Sequence, residues 1–269
     1  MLVVNLVFLV AAPAFAVDGS PWDGNQRAAI RLIAGAPRHE GAATVHRAGI
    51  EIRLAPGWKT YWRYPGDSGI PPRFDFSGSQ NVNRVTLHWP APQRLADESG
   101  TSIGYKQDVV FPLDVVPQDP TKPAVLALNL DYAVCEKICV PADGKAALTI
   151  SGKRGEHDDK LTRSAMLVPK PAAQGADGAL SIRAAKREGS RIVVDVAAPS
   201  GTPVELFAEG PAPEWALPVP SPVAGAPAGQ QRFTFELDGL PPNTKPDGAT
   251  LKLTAVAGEQ AIEVPYRLD

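Results

Sequence analysis

From Ala28 onward, apolar and polar residues alternate in short runs separated by turn-forming residues. Ile50, Ile52 and Leu54 alternate with Glu51 and Arg53, a period of two that gives a strand one buried face. Comparable runs occupy Val85 to Trp89, Val109 to Val116, Leu126 to Tyr132 and Ala146 to Ile150. Turn clusters at Ala55-Pro56-Gly57 and from Tyr64 to Gly69 punctuate them, the spacing of an antiparallel β-sandwich. Between Ser151 and Gly178 the alternation stops, and the chain becomes charged and then rich in Ala, Gly and Pro. This predicts a boundary, with a short helix over Asp158 to Met166 and a linker over Pro169 to Gly178. A second strand set follows at Ile192 to Val196, Val204 to Phe207, Phe233 to Leu237, Leu251 to Val256 and Ile262 to Tyr266. Dense proline from Pro199 to Pro246 confines its strands to edges or short pieces. The expected fold class is all-β: a sandwich over residues 27–152 followed by a smaller one over residues 179–269.

Composition narrows the function classes. The 269 residues carry 27 Lys+Arg against 29 Asp+Glu, a net charge of -2, without the basic excess of a nucleic-acid binder. With 28 Pro and 24 Gly, chain breakers recur too often for a helix bundle. Residues 1–16 form an apolar run closed by Ala14-Phe15-Ala16, which matches a secretory leader cleaved after Ala16, although no Lys or Arg precedes the run. An uncleaved anchor is the competing reading, but the run is shorter than the roughly 20 apolar residues of a spanning helix. Export would place the chain where a cysteine pair persists as a disulfide.

Both cysteines, Cys135 and Cys139, lie in Asp131-Tyr132-Ala133-Val134-Cys135-Glu136-Lys137-Ile138-Cys139-Val140-Pro141. In a straight strand, residues four apart are separated by about 13 Å, whereas a disulfide needs α-carbons within about 7 Å. An oxidised pair therefore requires a bend: a strand ending near Tyr132, a turn through Glu136 and Lys137, and a return from Val140. Closing so short a loop stabilises a fold by only about 2 kcal/mol, against roughly 4 to 5 for a loop of a hundred residues. The bridge is a poor staple, and tight or exposed disulfides are those suited to exchange. Lys137 would stabilise a neighbouring thiolate and Glu136 would oppose it. Three readings stand beside one another here: thiol-disulfide exchange, a structural clasp in a binding module, and metal binding. For the last, the other soft or imidazole donors, His39, His46, His88, His157 and Met166, are all distant in sequence, and a structural zinc site wants four ligands. No G-x-S-x-G motif or His-carboxylate pairing points to hydrolysis, and residues 179–269 contain neither Cys nor His.

The stretch from Arg27 to Ser151 resembles the periplasmic N-terminal domains of the thiol-disulfide interchange protein DsbD and of the related suppressor-of-copper-sensitivity protein ScsB. Three blocks carry the resemblance: Pro56-Gly57-Trp58-Lys59-Thr60-Tyr61-Trp62-Arg63, Gly104-Tyr105-Lys106-Gln107-Asp108-Val109, and the cysteine segment itself. The resemblance implies an immunoglobulin-like domain in the periplasm that passes reducing equivalents from a membrane-embedded electron carrier to thioredoxin-like proteins, a protein-disulfide reductase-like activity needing no cofactor and no metal. It implies Cys135 and Cys139 as the exchanging pair, surrounded by Tyr61, Trp62, Tyr105 and Tyr132, with Asp97 and Glu98 near a loop covering the disulfide. Copper handling is suggested by the ScsB likeness alone. The sequence departs from the better-known domain in its closer cysteine spacing and in lacking an aromatic residue between Asp97 and Gly100. It also shows neither the membrane-embedded domain nor the C-x-x-C thioredoxin-like domain, so reductant is expected to come from another protein.

Overall fold

The computed structural model describes residues 18–41, 43–66, 69–97, 100–150, 152 and 155–269; the leader expected over residues 1–16 lies outside them. The first half runs through β1 (Asp23–Gly24), β2 (Ala28–Ala34), β3 (Arg38–Glu40), β4 (Ala43–Leu54), β5 (Lys59–Gly66) and β6 (Arg73–Asp75). It continues with β7 (Val82–Leu87), β8 (Gln93–Asp97), β9 (Gly100–Tyr105), β10 (Val109–Pro117), β11 (Ala124–Cys135) and β12 (Cys139–Ile150). One sheet has the order β1-β2-β4-β10-β7, with β3 attached to β4; the other has the order β12-β11-β5-β9-β8, with β6 attached to β11. Inward-facing Ile30, Leu32, Ile50, Ile52 and Phe111 of the first sheet meet Trp62, Leu126, Leu128, Leu130 and Val134 of the second, all buried. Each such side chain contributes about 1.5 to 3 kcal/mol by leaving water. Gly144 of β12 lets the sheets approach, since a Cβ there would stand 2.5 Å from Cγ1 of Ile30.

A helix, α1 (Asp158–Met166), lies against the outer face of the first sheet, where Leu161 packs with Ile33 and Val110. Its position explains why β2 lacks alternation: Ile30 and Leu32 face the sandwich core while Ile33 faces the helix. Polar groups fix the helix in place. Asp158 accepts hydrogen bonds from the backbone amides of Ala36 (3.0 Å) and Gly155 (2.8 Å), and buried Glu51 pairs with Arg31 and Lys160.

The second half forms a smaller sandwich from β13 (Lys170–Pro171), β14 (Ser181–Glu188), β15 (Arg191–Ala197), β16 (Glu205–Glu209), β17 (Ser221–Val223), β18 (Gln230–Glu236), β19 (Thr250–Ala257) and β20 (Gln260–Arg267). Its sheets have the orders β13-β20-β19-β16 and β14-β15-β18-β17. The stretch read as a linker contributes β13, which pairs in parallel with β20 through Lys170 opposite Ile262. The all-β class with two successive sandwiches is thus observed. The halves are also packed together. Trp62 lies 5.9 Å from Phe207, the Tyr64 hydroxyl donates to the carbonyls of Trp215 (2.7 Å) and Leu217 (2.9 Å), and Arg63 reaches Glu209 and Glu263. Among the described residues no helix is long and apolar enough to cross a membrane.

Candidate functional site

Strands β11 and β12 pair without interruption from Ala124 opposite Ile150 to Cys135 opposite Cys139. The bend required by the cysteine spacing is therefore a hairpin end, with Glu136, Lys137 and Ile138 as its loop. The strand continues three residues beyond Tyr132, because Val134 and Cys135 also pair with Thr60 and Lys59 of β5. The facing cysteines are joined by a disulfide, their α-carbons 4.1 Å apart. Their surroundings differ. Cys135 is 1% exposed and packs with Tyr61 and Ala133, whereas Cys139 is exposed.

Register decides which aromatic residues meet the sulfurs. On β5, Lys59 and Tyr61 share the face that carries Cys135, while Thr60 and Trp62 point the other way. The buried Tyr61 hydroxyl donates toward the Cys135 sulfur at 2.6 Å and lies 3.0 Å from the Cys139 sulfur. The Thr60 hydroxyl donates to the Ala133 carbonyl at 2.9 Å, tying β5 to β11. Opposite Tyr61 stands Gly104 of β9, where a Cβ would collide with the Thr60 carbonyl and approach Cα of Tyr61 to 2.9 Å. Gly69, at a φ of 140°, lies against the Tyr61 ring, and a Cβ there would stand 2.5 Å from it. These glycines are how the fold seats the phenol against the disulfide.

The other residues expected around the pair are placed elsewhere. Trp62, Tyr105 and Tyr132 belong to the main core on the opposite face of the sheet. Trp62 meets Phe207. Tyr105 donates to the Pro90 carbonyl at 2.9 Å and packs edge-on against Phe111. Burial raises the Tyr105 phenol well above its ordinary value despite nearby Arg63; burial, with Asp143 and Asp23, pushes Tyr132 up to about 12. Neither ionises near neutral pH. Asp97 ends β8, its backbone opposite Gly100, and Glu98 lies outside the described residues. Sequence reading missed Lys59, the register partner of Cys135, and the exposed Ile138. Among the described residues no group of three or more His, Cys, Asp or Glu is arranged to hold a metal ion.

Chemically, the arrangement sets an exposed cysteine beside a buried one, with a hydroxyl donor close to both sulfurs and nearer the buried one. An external thiolate that attacked this disulfide at the exposed Cys139 would release Cys135 as a thiolate, with the Tyr61 hydroxyl placed to stabilise it. A hydrogen bond to a charged group is worth about 1.5 to 3 kcal/mol, and part of that develops as the bond breaks. Tyr61→Phe is accordingly expected to slow reduction by dithiothreitol about ten-fold while leaving the circular dichroism spectrum unchanged. An unaltered rate would show that the hydroxyl does not assist the departing sulfur.

An immunoglobulin-like sandwich with a disulfide closing the end of a hairpin defines a class, and comparison with known proteins specifies it. Residues 34–151 match the family described as thiol:disulfide interchange protein DsbD, N-terminal. Over those residues the first sandwich is similar to the DsbD N-terminal domain family. Among solved structures, the crystal structure of the N-terminal periplasmic domain of ScsB from Proteus mirabilis has the same fold. It superposes with a TM-score of 0.73 at 20% identity, over 93% of this chain and 98% of that one, so the likeness extends through both sandwiches. No curated protein matches the chain.

Proposed function

We propose that the chain is a periplasmic thiol-disulfide exchange protein that passes reducing equivalents through Cys135 and Cys139. Its partners in this reading are a membrane-embedded electron carrier and thioredoxin-like proteins. Residues 27–152 form the exchanging domain and residues 179–269 a second domain braced against it. The observation that carries the reading is the asymmetry of the pair, an exposed Cys139 and a buried Cys135 whose sulfur accepts a hydrogen bond from Tyr61. The match of residues 34–151 to the DsbD N-terminal family supports the same chemistry, and the ScsB fold likeness supports the periplasmic location.

In the oxidising direction, the reduced chain presents Cys139 as a thiolate that attacks one sulfur of a partner disulfide. A mixed disulfide forms, the partner disulfide breaks, and the partner's other sulfur leaves as a thiolate. Cys135, having lost its proton to solvent, then attacks the Cys139 sulfur and expels the partner's remaining thiolate. Two electrons have moved to the partner, whose thiolates take up two protons, and the chain is left with the disulfide seen here. An external dithiol restores it by the reverse sequence.

Equilibration with glutathione and dithiothreitol buffers is expected to give a reduction potential within about -120 to -270 mV, the span of exchange proteins. A value below about -300 mV, typical of inert structural bridges, would overturn the proposal in favour of a binding module clasped by its disulfide.

A further inference from the structure

Ile138 satisfies neither the turn nor the core. It is 75% exposed, more than any other large apolar side chain of the described residues, the next being Met166 at 66% and Ile70 at 53%. Short hairpin loops favour Gly, Asn and Asp for their conformational tolerance. Ile138, by contrast, is a β-branched residue without the positive φ that would call for a special residue. Its distinction is its place, directly before the exposed Cys139.

That place constrains any exchange partner. In a mixed disulfide the partner's α-carbon lies within about 7 Å of the Cys139 α-carbon, and Ile138 is one peptide, about 3.8 Å, away. A partner joined to Cys139 therefore has backbone within about 11 Å of the Ile138 α-carbon, close enough for Ile138 to be part of its contact. Around it the surface is polar: Glu136 and Lys137 are exposed on the same loop. Glu136 of the loop also lines, with Lys59, Lys106, Trp58 and Leu95, a depression of about 360 Å³. An apolar centre within a charged rim is the anatomy of a small transient interface, in which one desolvated anchor carries much of the affinity.

We infer that Ile138 is the docking anchor for the protein partner, inserting into an apolar depression beside the disulfide of a thioredoxin-like protein. This rests on the exchange function proposed above and assigns its partner recognition to the hairpin loop. Small dithiols have no such depression, so Ile138 should matter to protein partners and be irrelevant to them.

The test compares reduction of the oxidised full chain by reduced thioredoxin and by dithiothreitol, for wild type, Ile138→Ala, Ile138→Ser and Ile138→Leu. Loss of the buried apolar area in the Ala and Ser variants should lower the second-order rate with thioredoxin about ten-fold. Ile138→Leu should stay within about two-fold of wild type, and dithiothreitol rates and the reduction potential should not change. Equal thioredoxin rates for all variants would overturn the inference. So would parallel losses with both reductants, which would mark Ile138 as a loop-shaping residue. A wild-type chain reduced by dithiothreitol but not by thioredoxin would refute this partner class, while a chain inert to both would refute exchange itself.

Discussion

Cys135→Ser is expected to hold the chain in a covalent complex with a thioredoxin-like disulfide protein, visible on a non-reducing gel, whereas Cys139→Ser should form none. Both substitutions should abolish turnover. The difference follows from access. Cys139 is exposed on the returning strand, while Cys135 is 1% exposed and covered by Tyr61 and Ala133. With Cys135 replaced, Cys139 still attacks, but no second thiol of the chain resolves the product. With Cys139 replaced, the remaining sulfur lies beneath the β5 phenol, where a protein partner cannot align with it. The reverse pattern would make Cys135 the attacking residue and require β5 to move away before exchange. No complex with either variant would leave the disulfide a structural clasp.

Arg63→Met is expected to lower the unfolding free energy by about 2 to 3 kcal/mol, measured by urea denaturation. The Arg63 guanidinium donates to Glu209 at 2.8 and 2.6 Å and to Glu263 at 2.5 Å. Burial opposes its charge, yet the hydrogen bonds and charges of Glu209 and Glu263 hold its pKa above the ordinary value. Removing one partner of a fully buried pair costs about 3 to 5 kcal/mol. Here the side chains of Arg63, Glu209 and Glu263 are 22%, 12% and 26% exposed, and solvent screening reduces the cost. Adding Glu209→Gln to Arg63→Met should recover about half of the loss, because one stranded carboxylate is removed with its counterion. A loss below about 0.5 kcal/mol for Arg63→Met would mean that the contact between the sandwiches rests on its other links, such as Trp62 with Phe207, Tyr64 with Trp215 and Leu217, and Arg94 with Glu205 and Pro220.

Much of the fold is legible in the chain. Alternation locates β10, β11 and the strands of the second set to within a few residues, and the helix over Asp158–Met166 is where the loss of alternation puts it. The misses have physical causes. In β2, helix α1 buries the outer face and erases the alternation. In β5, Pro65 and Gly66 read as turn residues although the strand runs through them, with an irregular pairing to β9. In β14, Arg183, Lys186, Arg187 and Glu188 give a solvated appearance to a strand whose Ile182 and Ala185 are buried.

By itself the sequence determined that the only two cysteines share one short segment, that joining them demands a sharp bend, and that the surrounding architecture is all-β. These are local properties, set by a period of two and by the length of a four-residue step. Tertiary structure alone decided which aromatic side chain touches the sulfurs. Tyr61 and Trp62 are neighbours in the same motif, yet one donates to Cys135 and the other is sealed in the core. The choice depends on the register of β5 against β11, whose paired residues lie more than seventy positions further along the chain, and a slip of one residue would exchange their faces. The bracing of the first sandwich by Glu209 and Glu263 is non-local in the same way, since charges so far apart in the chain become partners only after both sandwiches have formed.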